Sequence, residues 1–187
     1  MKINKIAYSL LGLSFVLIMS GGFSLFVTSL RNDKQVTLNR MEEVNGIFED
    51  FSATTSIFES YRDDLYAEVL QGIVCDQLAT NYTVVENKLS NYENIVDEID
   101  KKVVKMDKLC DEVYYPDSSV NSKCSNYKNI YEQVVNYFVS DVSVYNKNVS
   151  QCNVDLQQDG IKLKEYKTKK KYIDYNEDKK YEGKDGA

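Results

Sequence analysis

Four cysteines, a cluster of six lysines and several carboxylate pairs are the residues of this chain with chemistry to offer. Structural zinc needs four converging ligands, commonly from close cysteine pairs or histidines. The nearest cysteines, Cys110 and Cys124, are fourteen positions apart and the chain has no histidine, so no metal site is expected. General acid and base work would fall to carboxylates, lysines or tyrosines, and a slim helical protein gives them little concave space in which to be tuned. The pairs Glu42-Glu43 and Asp63-Asp64 and the run Glu98 to Asp100 read as solvated helix faces. The expectation is a non-enzyme with no catalytic residue and no cofactor.

The lysines are Lys162, Lys164, Lys167, Lys169, Lys170 and Lys171, offset only by Glu165 and punctuated by Tyr166 and Tyr172. Such a segment suits contact with a polyanion: an acidic envelope polymer, lipid headgroups or an acidic partner. The same composition also describes a solvated, flexible end that offsets an acidic body. The body is acidic, with 12 basic against 23 acidic residues over positions 31–159. Nucleic acid is therefore not an expected partner of the folded part, because phosphate would be repelled there.

The elements that must position these groups are helices. Val85, Leu89, Tyr92, Val96, Ile99, Val103, Met106, Cys110 and Val113 alternate by four and three, the seam of a helix packed along its length. Val44, Phe51, Phe58 and Leu65 are seven apart, with Ile47 and Tyr61 between them. A third seam runs through Val120, Cys124, Tyr127, Tyr131, Val134, Phe138, Asp141, Tyr145, Asn148 and Cys152. Asp141 and Asn148 interrupt it; polar seam positions either fix register or lie at an exposed edge. The reading is an all-α fold: an elongated antiparallel three-helix bundle or coiled coil at 31–160, with helices at about 36–78, 83–113 and 119–159. Thr83 and Glu86 suggest a capping box, and Gly160 a helix stop. Residues 161–187 are expected to be a Lys/Tyr-rich flexible tail.

The only proline, Pro116, marks the bend between the second and third helices, and Cys110 and Cys124 lie seven residues either side of Asp117. A hairpin folded about that point brings these two cysteines level. It also brings Cys152 level with Tyr82, close to Cys75 at the opposite end. Of the three pairings open to four cysteines, Cys110–Cys124 and Cys75–Cys152 each clasp one end of the bundle. Four reduced cysteines acting as small buried hydrophobes are the alternative.

Before the bundle, residues 6–30 carry no charge and follow a five-residue head containing Lys2 and Lys5. Twenty-five residues at ~1.5 Å each are long enough to cross a hydrocarbon core of ~30 Å. The length favours an uncleaved transmembrane signal anchor over a cleaved signal peptide. An even cysteine count places residues 31–187 in an oxidising compartment outside the membrane, with residues 1–5 cytoplasmic. The expected function is a non-catalytic, membrane-anchored, single-pass helical stalk or scaffold that meets a protein or envelope partner or self-associates. A sensory or small-ligand-binding ectodomain is the alternative.

Overall fold

The computed structural model describes the backbone of residues 3–71, 74–111 and 114–175, and side chains from residue 33 onward within those ranges. Every regular element among them is helical. In order they are α1 (Ile3–Leu65), a π-helical turn (Tyr66–Leu70), α2 (Cys75–Thr80), α3 (Tyr82–Cys110), α4 (Ser118–Asp155) and a 3-10 turn (Gln157–Asp159). An irregular stretch and a last helical turn at 170–175 follow.

The chain divides into two compact units, residues 1–43 and 44–187. In the first, the described side chains are mostly exposed and bond along the helix: Gln35 donates to Asn39 at 2.8 Å and the Thr37 hydroxyl to the Asp33 carbonyl at 2.9 Å. The expected anchor at 6–30 lies outside the residues whose side chains are described. Among the described residues, no helix is long and apolar enough to cross a membrane.

The second unit is a helical bundle built on the three seams. Val44, Phe51, Phe58 and Leu65 are buried on α1, as are Val85, Leu89, Tyr92, Val96, Ile99, Val103 and Met106 on α3. Val113 lies outside the described residues. On α4 the seam from Val120 to Cys152 is buried at its apolar positions, apart from a partly exposed Cys124. A second stripe, Val135, Val142 and Val149, is buried as well. That doubled face is wider than a two-helix seam requires and shows that α4 is covered from more than one side.

Cross-links set the directions of the helices. Lys102 pairs with Asp50 at 3.1 Å and the Tyr61 hydroxyl donates to the Lys88 carbonyl at 3.0 Å, so α3 runs antiparallel to α1. The Tyr127 hydroxyl reaches Asp107 at 2.5 Å; these residues stand ten positions either side of Asp117, the register of a hairpin folded there. Both disulfides are the pairs selected by the hairpin symmetry. Cys110–Cys124 and Cys75–Cys152 have Cα separations of 5.3 and 5.2 Å, within the ordinary span of a disulfide. Closing loops of 14 and 77 residues is worth about 3 and 4.5 kcal/mol in the chain-entropy model.

The first helix of the bundle departs from its expected extent. Instead of running to residue 78, it stops at Leu65, and Gln71 N–H bonds the Tyr66 carbonyl at 2.9 Å to close a wide turn. Val69 and Leu70, at the end of this turn, are both buried. The short α2 then carries Cys75 to its bridge. At the start of α3 the capping box does not form, since Asn81 is the cap residue and Glu86 accepts the Tyr82 hydroxyl at 2.6 Å. At the start of α4, Asp117 precedes the serines and accepts Ser119 N–H at 2.7 Å. Gly160 ends the 3-10 turn in the left-handed region with φ 69°.

The largest departure concerns residues 161–175. Expected as part of a flexible tail, they lie against α3 and α4, with Leu163 and Tyr172 buried. We refer to this segment as the strap.

Candidate functional site

Two polar constellations are assembled by the bundle, one inside it and one along its α3–α4 face. The inner one centres on Asp141, the polar interruption of the α4 seam. Its side chain is only 3% exposed, so it is a buried acid and the edge reading of this position fails. Arg62 of α1 donates from Nε to Oδ2 at 2.7 Å and from Nη2 to Oδ1 at 3.3 Å, while the Tyr92 hydroxyl of α3 donates at 2.9 Å. Arg62 also lies over the Tyr137 ring at 4.1 Å. Burial, reinforced by Asp141, pushes the Tyr92 phenol well above its ordinary range and keeps it a donor. Side chains of α1 and α3 thus meet on one carboxylate of α4.

The outer constellation starts from two asparagines seven residues apart on α4. Asn153 accepts Leu163 N–H at 2.7 Å and donates to the Leu163 carbonyl at 2.9 Å. Asn146 makes the same pair with Tyr166, accepting at 2.8 Å and donating at 3.0 Å. An amide side chain in this geometry imitates the edge of a neighbouring strand, holding the strap by its backbone whatever its side chains are. Asn121 treats Tyr115 likewise at the α3–α4 bend, where the Tyr115 ring is buried.

Carboxylates on α3 complete the bed. Glu93, Asp97 and Asp100 fall at spacings of four and three, hence on one face. Glu93 accepts the Tyr166 hydroxyl at 3.0 Å and Lys169 N–H at 2.9 Å. Asp97 pairs with Lys169, with Lys171 at 3.0 Å, and accepts the Tyr172 hydroxyl at 2.6 Å. Asp100 takes Lys171 at 2.8 Å and the Tyr131 hydroxyl at 2.6 Å. Burial alone would raise the Asp97 carboxyl, but hydrogen bonds from Lys169, Tyr172 and Lys171, with the charge of Lys171, outweigh it and hold the group at about 2. Burial, then the bond to Asp97, raises the Tyr172 phenol.

The six lysines are therefore sorted into two groups. Lys169 and Lys171 are tied to α3 and Lys170 to Asp174 at 2.8 Å. Lys162, Lys164 and Lys167 are exposed and form no ion pair among the described residues. The run Glu98 to Asp100, expected to be solvated, is divided in the same way: Glu98 is exposed beside Lys101 and Asp100 is drawn into the bed. Beyond the strap, an open groove of about 690 Å³ continues between α3 and α4, lined by Asp100, Val103, Val104, Asp107, Ser125, Lys128, Asn129, Tyr131 and Glu132 together with Lys171 and Tyr175. Among the described residues no cluster of acids, cysteines or histidines is arranged to hold a metal ion.

Glu93, Asp97, Asn146, Asn153 and Arg62 were not singled out from the sequence. The spacing of the acids on one helix face and the seven-residue repeat of the asparagines were the available signals. Neither is decisive without a partner segment to match. The chain matches no protein-family model, no curated protein and no solved structure.

Proposed function

We propose that the chain is a non-catalytic helical scaffold, anchored to a membrane through residues 6–30 and holding its bundle outside the membrane for a protein or envelope partner. The observation that carries this reading is the seam, filled from Val44 to Leu65, from Val85 to Met106 and from Val120 to Cys152 and clasped at both ends by disulfides. A body so packed is suited to presenting a surface. The disulfides fit an oxidising compartment. Lys162, Lys164 and Lys167 are the residues of the lysine cluster available to an acidic partner. The second reading, a small-ligand ectodomain, draws support from the groove of about 690 Å³, although that groove opens at the surface and not within the seam.

The test is topology and partnership in intact cells. A membrane-impermeant thiol reagent should label the chain only after reduction, and cross-linking should capture a partner or a second copy. Four thiols reactive from the cytosolic side without reduction would overturn the placement. A chain that captures nothing and binds a small molecule in the groove would favour the second reading.

A further inference from the structure

The two disulfides stand in different surroundings. At the end of the unit that holds α2, Cys152 is 3% exposed, and its helix neighbours Val149 and Leu156 are buried as well. Its partner Cys75 is partly exposed, but Asp155 Oδ2 lies 3.6 Å from the Cys75 Sγ and Asp76 follows in the chain. A thiolate that approaches this bridge meets one cysteine covered and the other beside a negative charge. Attack on Cys75 would also expel the buried Cys152 as a thiolate, and burial in apolar surroundings makes that a poor leaving group.

At the α3–α4 bend, Cys110 and Cys124 are both partly exposed. Asp111, beside Cys110, is matched by Lys128 at 3.4 Å, and Lys123 precedes Cys124. Neither cysteine is buried, and either thiolate would leave close to water. The bend also has holders other than its bridge. Asn121 grips the Tyr115 N–H and carbonyl at 2.9 and 2.6 Å, the Tyr115 hydroxyl donates to the Leu109 carbonyl at 2.6 Å, and the Tyr127 hydroxyl reaches Asp107. We propose that Cys110–Cys124 is a site of thiol–disulfide exchange with a dithiol reductant, and that Cys75–Cys152 is a permanent bridge. In the exchange a reductant thiolate attacks one cysteine sulfur, the S–S bond breaks, and the other cysteine leaves as a thiolate that takes a proton from water. The second thiol of the reductant, as its thiolate, then displaces the first cysteine, which is protonated in turn. Two electrons pass to the chain, the reductant ends as a disulfide, and the bend stays folded with two adjacent thiols.

Timed reduction of the full, oxidised chain with dithiothreitol, quenched by alkylation and mapped by peptide mass spectrometry, tests this. Cys110 and Cys124 should be alkylated together, at least about tenfold faster than Cys75 and Cys152. The helical circular-dichroism signal should persist while only that pair is open. In urea, where the fold no longer covers Cys152, the two pairs should react at similar rates. In the folded chain, Asp155→Asn should quicken cleavage of Cys75–Cys152 alone. Equal rates in the folded chain, Cys75–Cys152 opening first, a preference that survives urea, a rate indifferent to Asp155→Asn, or loss of the helical signal with the first pair would each overturn the proposal.

Discussion

The Tyr172 hydroxyl donates to Asp97 Oδ1 at 2.6 Å across a sequence separation of 75 residues. The same ring packs edge-on against Phe138, which meets Tyr92 at 5.3 Å, which stacks on Phe58 at 4.9 Å. One line of aromatic rings thus passes from α1 through α3 and α4 to the strap. The strap is thereby joined to the core as well as to the acidic face of α3.

Asp97 should make the protein sensitive to acid. Its carboxyl is held at about 2 in the fold, against ~3.9 in an unfolded chain. A depressed folded value means stability present above pH ~4 and lost as pH falls toward about 2. Asp97→Asn should flatten that part of the pH profile of the urea midpoint. An unchanged acid limb would remove Asp97 from the account.

Asn146 and Asn153 should hold the strap without holding the bundle. Asn146→Ala leaves the Tyr166 N–H and carbonyl without their partner, a loss of about 1–2 kcal/mol at the usual worth of two hydrogen bonds. Hydrogen exchange should accelerate over residues 163–172 and remain slow at the seam amides of α3. Equal acceleration in both would mean that strap and bundle open together.

Asp141→Asn should cost about 2–3 kcal/mol, because Arg62 loses its counter-charge and one of the two acceptor oxygens it bonds is replaced by a donor amide. That is less than the ~3–5 kcal/mol usual for a broken buried pair, since Arg62 keeps 27% of its side chain exposed. Combining Arg62→Met, Tyr92→Phe and Asp141→Leu should recover most of the loss in equilibrium unfolding. If the triple variant is as unstable as Asp141→Asn, the cluster's contribution is not the pairing of its charges.

Tyr145 offers the opposite sign. It is fully buried, and its hydroxyl has no hydrogen-bond partner among the described residues. Tyr145→Phe removes a desolvated oxygen while keeping the ring, so the variant should be as stable as the parent or gain up to about 1 kcal/mol. A loss beyond ~0.5 kcal/mol in thermal or urea unfolding would show that the hydroxyl is in use.

Much of the bundle is legible in the sequence because a heptad seam is a local pattern. Phe51, Phe58, Leu89, Val96, Ile99, Tyr127 and Phe138 are buried where the period places them. The cysteine pairing followed from one proline and the symmetry of a hairpin. The failures occurred where the pattern carries no instruction. The wide turn at Tyr66–Leu70 is not encoded by a seven-residue period, and Glu86 accepts the Tyr82 hydroxyl instead of closing the capping box. The lysine-rich segment looked like a tail because its apolar residues, Leu163 and Tyr172, are too sparse to declare a core.

The sequence by itself determined the helical class, the seams and the hairpin register, since each depends on spacings along one chain segment or across one bend. Tertiary structure alone decided that Asp141 is buried with Arg62 and Tyr92, that Asn146 and Asn153 grip a backbone, and that Asp97 gathers Lys169, Lys171 and Tyr172. Those contacts join residues 10 to 79 positions apart, several of them more than 70. A polar side chain seeking a bonded partner carries no mark in the sequence of where that partner will be.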